Sequence, residues 1–118
     1  MPRAGVFEME RDGATVVMTP LVNLGAAGPV ESKAASLVGA LDDLSIKHLV
    51  LDFHKTEHFG SSALALFVKL RRIVTGRNGN MALCNLSEHQ LEVLQVTKLN
   101  TLWIICESRS HAMNAVVR

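Results

Sequence analysis

The segment Leu49-Val-Leu-Asp-Phe-His-Lys-Thr-Glu-His-Phe-Gly-Ser-Ser-Ala-Leu-Ala-Leu-Phe67 decides the fold of this chain. It begins as a continuous apolar run, the pattern of a strand that is covered on at least one face. After a polar turn, two serines open a stretch in which apolar residues recur at helical spacing. The hydroxyls of Ser61 and Ser62 are therefore expected at a helix N-terminus, where free backbone amides and the helix dipole stabilise a phosphate or another anion.

The composition limits what a chain of 118 residues can be. Apolar residues make up 48% of it, which excludes a disordered chain, and its size suits one domain over residues 1–118 without a separate catalytic lobe. The net charge of +1 offers no basic stripe for nucleic acid and no polybasic patch for a membrane surface. Without a secretory-type segment or an apolar run of about 20 residues, we expect a cytoplasmic protein with no direct membrane insertion.

Turn signals and periodicity predict the order of the elements. Asp12-Gly13 between two short apolar runs indicates an N-terminal hairpin. From His48 onward strands alternate with helices, which implies parallel pairing with right-handed crossovers. The sequence thus predicts a single α/β domain with a mixed, mainly parallel β-sheet, an antiparallel N-terminal edge and about four helices packed mainly on one face. The predicted strands are 6–9, 15–18, 48–53, 81–84 and 102–106, and the predicted helices are 32–44, 62–75, 87–98 and 108–116. The apolar face of the first of these helices is formed by Ala34, Leu37, Val38, Leu41 and Leu44. A capping box from Ser87 to Gln90 is expected to open the third helix, and Ser108 or Ser110 to cap the fourth.

The two cysteines, Cys84 and Cys106, each end an apolar run. Neither belongs to a CxxC pair, and cytosolic chains rarely keep structural disulfides. We therefore interpret both as reduced core residues. The alternative is a redox pair, since both lie at the ends of predicted strands.

Two motifs raise enzymatic alternatives. His54-Lys-Thr-Glu-His58 has the spacing of an inverted zinc-peptidase motif, which needs both histidines on one face of a helix. These five residues follow a strand directly, so a polar loop is favoured. Gly60-Ser-Ser-Ala-Leu64 partly matches the G-x-S-x-G nucleophile elbow, but Leu64 replaces the closing glycine and nothing in the sequence places a histidine near Ser62. We expect a non-catalytic protein without metal or cofactor.

The serine pair also has a purely structural interpretation. Serine is a preferred N-cap, worth about 1 kcal/mol relative to alanine. One serine is enough for that purpose, and the other then lies in the first turn, where an attached phosphate could use the same amides and dipole. On the residues alone, a phosphoacceptor and a plain cap both remain open.

Four segments carry a family resemblance: Leu49-Val-Leu-Asp52, Glu57-His-Phe-Gly-Ser-Ser-Ala-Leu64, Met81-Ala-Leu-Cys-Asn-Leu86 and Leu91-Glu-Val-Leu94. Together they resemble the STAS domain, the family of sulfate transporters and anti-sigma-factor antagonists. Its pattern is an apolar strand ending in Asp, Asp-Ser-Ser/Thr-Gly opening a helix, a strand ending near Asn and a helix with paired leucines. The resemblance covers Leu49 to about Val96, and more loosely extends to Val117.

The chain departs from the family pattern at three places. Gly60 stands where the family has the motif Asp, and Ala63 stands where it has the motif Gly. A family loop with Gly-Glu-Leu-Asp corresponds to Pro20-Leu-Val-Asn23, so that its acid is Asn here. The missing acid beside Ser61 would ease repulsion with a phosphate, and it also removes a group that a kinase could recognise.

The resemblance implies a regulatory protein-binding domain of the anti-sigma-factor antagonist type, a phosphoprotein in transcription regulation. In partner-switching members, an anti-sigma kinase phosphorylates the first hydroxyl residue after the motif Asp, and this position corresponds to Ser61. The implied partner is an anti-sigma factor or a serine kinase-like protein. Ser62 is expected to cap the helix or to act as a secondary acceptor, and Asp52 to orient the turn. The expected partner-docking residues are Asn23, Asp52, His54, His58, Phe59, Gly60, Ser61 and Ala63.

Two other functions remain open. The first is a STAS subunit that docks on a transporter or lipid-transport complex without phosphorylation. The second is a domain that binds a small anion or nucleotide at the same helix N-terminus. Neither alternative involves nucleic acid as a macromolecular partner.

Overall fold

A six-stranded mixed sheet organises the chain in a computed structural model that describes residues 3–4, 7–21, 39 and 41–117. In their order across the sheet, the strands are β1 (Arg3–Ala4), β2 (Phe7–Asp12), β3 (Thr15–Pro20), β4 (His48–Asp52), β5 (Met81–Cys84) and β6 (Ile104–Cys106). The strands β1, β2 and β3 pair antiparallel, whereas β3, β4, β5 and β6 pair parallel. The predicted α/β class with an antiparallel N-terminal edge is confirmed.

The described helices cover both faces of this sheet. They are α1 (Ser61–Thr75), α2 (Glu88–Val96) and α3 (Arg109–Val116). Residues of α1 and α2 belong to the larger core cluster, whereas Ala112 and Val116 of α3 pack with Val17 and Val50 in a second cluster. Most described helices therefore share one face, as predicted, and the C-terminal helix shields the other. No helix in the described ranges has the length and apolar character needed to span a bilayer.

The first predicted helix in the chain, 32–44, lies largely outside the described residues. At its C-terminal end Gly39 is helical, but residues 41–45 form turns and bends instead of regular helix. Leu41 is buried as expected. Leu44 was predicted on the same apolar face, but this prediction is wrong, because the side chain is 78% exposed where the chain turns toward β4.

The N-terminal hairpin turns at Gly13, where φ is +62°, as the Asp-Gly signal predicts. Asp12 pairs with Thr15 across this turn. The strand β3 continues to Pro20, which sequence reasoning assigned to a loop. Proline is tolerated there because the parallel register with β4 ends at Met18, so that Pro20 pairs only with β2.

Local capping fixes the starts of α2 and α3. Ser87 and Gln90 form the predicted capping box, in which each side chain binds the backbone N–H of the other residue. The Ser108 hydroxyl accepts a hydrogen bond from the backbone N–H of His111, which identifies it as the cap of α3. The predicted capping box is confirmed, and of the two candidate caps for the last helix, Ser108 and Ser110, the structure uses Ser108.

Gly79 packs against the backbone before β4, and Gly79→Ala is expected to destabilise the protein by about 2 kcal/mol. A Cβ atom at this position would lie 1.7 Å from the Lys47 carbonyl oxygen, and backbone atoms cannot move aside as a side chain can. Urea denaturation measures the effect. The matched control is Gly13→Ala, where nothing lies within 4 Å of the added Cβ and the cost is the positive φ alone, about 1 kcal/mol. A smaller loss for Gly79→Ala than for Gly13→Ala would contradict the steric argument.

Candidate functional site

The candidate site lies at the carboxyl edge of the parallel strands. Asp52 ends β4 and pairs with Cys84, the last residue of β5, which pairs with Cys106 at the end of β6. The segments that follow these strands therefore meet at one edge of the sheet. One of them, residues 53–60, connects β4 to α1; because it contains four of the expected partner-docking residues, it is called the docking loop.

Asp52 is the buried polar centre of this edge, with only 2% of its surface exposed. Its Oδ1 atom accepts hydrogen bonds from the His54 backbone N–H (3.1 Å) and from Asn85 Nδ2 (2.9 Å), and it lies 2.9 Å from His54 Nδ1. Its Oδ2 atom accepts a hydrogen bond from Arg109 Nε (2.9 Å). Burial alone would raise the pKa of Asp52, but the hydrogen bonds from Asn85, Arg109 and His54 outweigh it and lower the pKa.

Arg109 extends this network from the start of α3 across the sheet. Besides Asp52, its guanidinium contacts Glu10 Oε2 at 2.9 Å and donates to the Thr19 hydroxyl at 3.0 Å. A single side chain thus connects β2, β3, β4 and α3. This arrangement fixes the position from which the docking loop leaves the sheet.

Packing among aromatic rings in the core holds the docking loop in place. Phe59 in the loop, Phe53 at its start and Phe67 in α1 pack edge to face, with ring centres 5.5–5.7 Å apart. All three side chains are buried. Edge-to-face packing of this kind stabilises the fold by more than the burial of apolar area alone. Because Phe53 and Phe59 lie near opposite ends of the loop, both ends are anchored.

Hydrogen bonds to α2 hold the middle of the loop. Gln90, which is fully buried, donates from Nε2 to the Thr56 hydroxyl at 3.2 Å. The Ser87 hydroxyl donates to the Glu57 carbonyl at 2.6 Å. Together with the packing against Phe67 of α1, these hydrogen bonds to α2 give the loop a defined shape.

The helix α1 begins at Ser61, one residue earlier than predicted, and its N-cap is Gly60 in an extended conformation. The prediction that Ser62 caps the helix is thus wrong, because Ser62 is the second helical residue, exposed to solvent. A glycine cap has no side chain that could occupy the first amides, and no acidic residue lies in the first turn. The start of α1 thus combines the positive end of a helix dipole with the backbone N–H groups of a first turn, the arrangement that stabilises an anion.

Comparison with known proteins identifies the family. The STAS domain family matches residues 10–112. The chain belongs to the STAS domain family. In solved structures the fold recurs in an anti-sigma-factor antagonist (STAS) domain protein from Planctomyces limnophilus, with 23% identity over 95% of this chain and 98% of that chain and a TM-score of 0.83.

The structure of the anti-sigma factor antagonist SpoIIAA in its unphosphorylated form also matches this STAS domain. It shares 21% identity over 92% of this chain and 94% of that chain, with a TM-score of 0.76. The phosphorylated form of the Bacillus cell fate determinant SpoIIAA matches with 22% identity over 95% of this chain and 99% of that chain, with a TM-score of 0.69. At these identities the likeness establishes a common fold.

The expected docking residues of the STAS domain fall into two groups. His54 and His58 are exposed and Gly60 is half-buried, so these residues can touch a partner. Asp52, Phe59 and Ala63 are buried, so any part they have in docking is to shape the surface from beneath. Ser61 lies at the start of α1, and Asn23 lies outside the described residues.

Sequence reasoning missed two partners of this site. Arg109 lies 57 residues beyond Asp52, and His89 lies 31 residues beyond its partner His58. The available signal was topological: Asn85 and Ser108 follow the ends of predicted parallel strands, whose carboxyl ends meet at one edge. That rule places the segments together but does not select which side chains pair.

The zinc-peptidase alternative receives no support from the geometry. The segment from His54 to His58 is a loop with turns and not a helix, so it lacks the shared helical face of the zinc-peptidase motif. His54 is paired with Asp52 instead. A catalytic zinc ion needs three protein ligands, and within the described ranges no group of three or more His, Cys, Asp or Glu side chains could hold a metal ion.

The two cysteines of the STAS domain are free thiols. Cys84 is buried and Cys106 is half-buried, and they are register partners on β5 and β6. Burial, followed by the nearby charge of Asp52, raises the pKa of Cys84 to about 12, and burial also raises the pKa of Cys106. Raised pKa values keep both groups as thiols, which favours core packing over redox chemistry.

Proposed function

We propose that this STAS domain is a non-catalytic anti-sigma-factor antagonist that works by partner switching, with Ser61 as the phosphorylated residue. Its partner is an anti-sigma factor or a related serine kinase in the cytoplasm. Unmodified Ser61 permits docking, and phosphorylated Ser61 prevents it. Family membership supports the regulatory role, and SpoIIAA is a relative of the same fold that has been solved in both unphosphorylated and phosphorylated forms.

The start of α1 is the observation that carries this proposal. Ser61 is the first helical residue, the N-cap Gly60 has no side chain that could bind the first amides, and no acidic residue lies in the first turn. A phosphate there would add a charge of about −1.5 to −2 and could bind the backbone amides of the first turn. The same helix that accommodates the phosphate would thus present new charge and bulk to a docked protein.

The surroundings of Ser61 favour a local switch. The docking loop before it is held by the phenyl rings of Phe53, Phe59 and Phe67 and by hydrogen bonds to α2. A well-supported loop offers a pre-formed surface, so binding requires little ordering. Phosphorylation would then act by changing the charge of that surface and not by refolding it.

We expect Ser61→Asp to lose at least about tenfold in affinity for the kinase-type partner, because a fixed charge at the docking surface opposes association. Wild type, Ser61→Asp and Ser61→Ala are used side by side to capture partners from native lysate, with identification by mass spectrometry. The affinity for the purified partner is then measured. Ser61→Ala should bind as wild type does, but should not be phosphorylated when ATP and the partner are added.

Ser110→Asp is the matched control, because Ser110 is an exposed serine in the first turn of α3 on the other face of the sheet. It should bind the partner as wild type does. If Ser61→Asp also binds as wild type does, the switch at Ser61 is wrong. If all forms capture the same transporter subunits, the protein is a constitutive part of a transport complex. A nucleotide-selective rise in melting temperature would instead favour small-ligand binding.

A further inference from the structure

Two imidazole rings meet beside the docking loop. His58 Nδ1 and His89 Nδ1 lie 3.0 Å apart, the ring centres are 4.4 Å apart, and the ring planes are inclined by 77°. Both side chains are exposed. Two ring nitrogens at this distance need a proton or a cation between them, because two unprotonated nitrogens would present lone pairs to each other.

The backbone under this pair is held in place. The Ser87 hydroxyl donates to the carbonyl of Glu57, the residue before His58. The same Ser87 caps α2, in whose first turn His89 lies. The two histidines are therefore brought together by a connection between loop and helix that does not depend on their own contact, which pre-organises them as a pair.

We propose that His58 and His89 bind one divalent ion of the zinc type through their Nδ1 atoms. Imidazole suits Zn²⁺, Cu²⁺ and Ni²⁺, and Zn–N distances are about 2.0–2.1 Å. Two nitrogens at the tetrahedral angle around such an ion are about 3.3 Å apart, so the observed separation needs to widen by only a few tenths of an ångström. Because the pair is exposed, water completes the coordination.

The local charges are compatible with a cation at this place. His89 lies in the first turn of α2, where the positive end of the helix dipole works against a cation. Each of the two histidines is preceded in the chain by an exposed glutamate, Glu57 or Glu88, and these negative charges offset the dipole. This site goes beyond partner switching, since it does not require Ser61 or its modification.

Titration of the full chain with ZnCl₂, followed by calorimetry, tests the site. Wild type should bind one Zn²⁺ per chain, and His58→Gln and His89→Gln should each weaken binding at least about tenfold, because each variant removes one of the two protein ligands. His111→Gln is the control, because His111 is an exposed histidine on α3 outside the pair. It should leave the affinity unchanged, as should Ser61→Ala.

Histidine NMR spectra provide a second readout on the folded wild-type protein. Addition of ZnCl₂ should shift the ring resonances of His58 and His89, and should leave those of His54 and His111 in place. The proposal is overturned if His58→Gln or His89→Gln binds Zn²⁺ as tightly as wild type does, if His111→Gln loses as much, or if wild type shows no saturable binding. None of these results depends on the outcome of the Ser61 experiment.

Discussion

Replacement of Phe67 by alanine is expected to lower the free energy of unfolding by about 3–5 kcal/mol. The Phe67 ring is completely buried and packs edge to face with Phe53, Phe59 and Trp103. Its neighbours come from both ends of the docking loop and from the segment before β6. They cannot all collapse into one cavity, so much of the lost volume stays empty. Urea denaturation at equilibrium measures the loss.

The same cavity should loosen the docking loop, because Phe59 loses its main partner in α1. Amide hydrogen exchange at residues 58–60 should speed up more than exchange in β2. Leu44→Ala is the surface control, since Leu44 is 78% exposed, and should change stability by less than about 0.5 kcal/mol. Phe67→Leu, which keeps most of the volume, gives an intermediate loss even if the alanine variant does not fold. A loss below about 1 kcal/mol for Phe67→Ala would contradict the packing argument.

Local signals were enough to predict most elements of the fold. The apolar run 48–53 identified the central strand, and the serine-glutamine pair at 87 and 90 identified the start of α2. These signals succeed because a strand buried on both faces and a capped helix both need particular residue types over a short span. The Asp12-Gly13 turn similarly fixed the antiparallel edge.

Predictions failed where two neighbouring residues could each cap the same helix, or where tertiary contacts determined which side chain is buried. Either serine could cap α1, and the chain uses Gly60 instead because the helix begins at Ser61. Leu44 fits a helical period, yet the chain turns there and leaves it exposed. The face covered by α3 was also not predicted, since periodicity identifies an apolar face but not the side of the sheet on which it lies.

The candidate site was predicted in part for a physical reason. The local feature, a hydroxyl at a helix N-terminus after a parallel strand, can be read from the order of residues around Ser61. The supporting pairs, Asp52 with Arg109 and His58 with His89, depend on register and helix placement over tens of residues. A helix N-terminus that follows a strand is therefore easier to predict from sequence than the side-chain contacts that support it.

Removal of the Asp52 carboxylate should be nearly as costly as loss of Phe67. For Asp52→Ala at neutral pH we expect a loss of about 3 kcal/mol, because Arg109 and Asn85 then lose a buried acceptor that nothing replaces. The value lies at the lower end for a buried pair, since a third of the Arg109 side chain remains exposed to water. Urea denaturation of Asp52→Ala, Arg109→Ala and the double variant measures the coupling, which should be at least about 1 kcal/mol. Purely additive losses would contradict it.

The pH dependence of the same variants separates the charge of Asp52 from its packing. Its pKa in the folded protein lies below the ordinary value of 3.8, so the carboxylate stabilises the protein above that pH. This contribution is lost as the pH falls through the folded-state pKa. The difference in stability between wild type and Asp52→Ala should therefore narrow below about pH 4. Glu10→Ala removes the exposed partner of Arg109 and should cost less than about 1 kcal/mol at neutral pH. If the difference in stability between wild type and Asp52→Ala stays constant down to pH 3, the effect of the substitution comes from lost volume and not from lost charge.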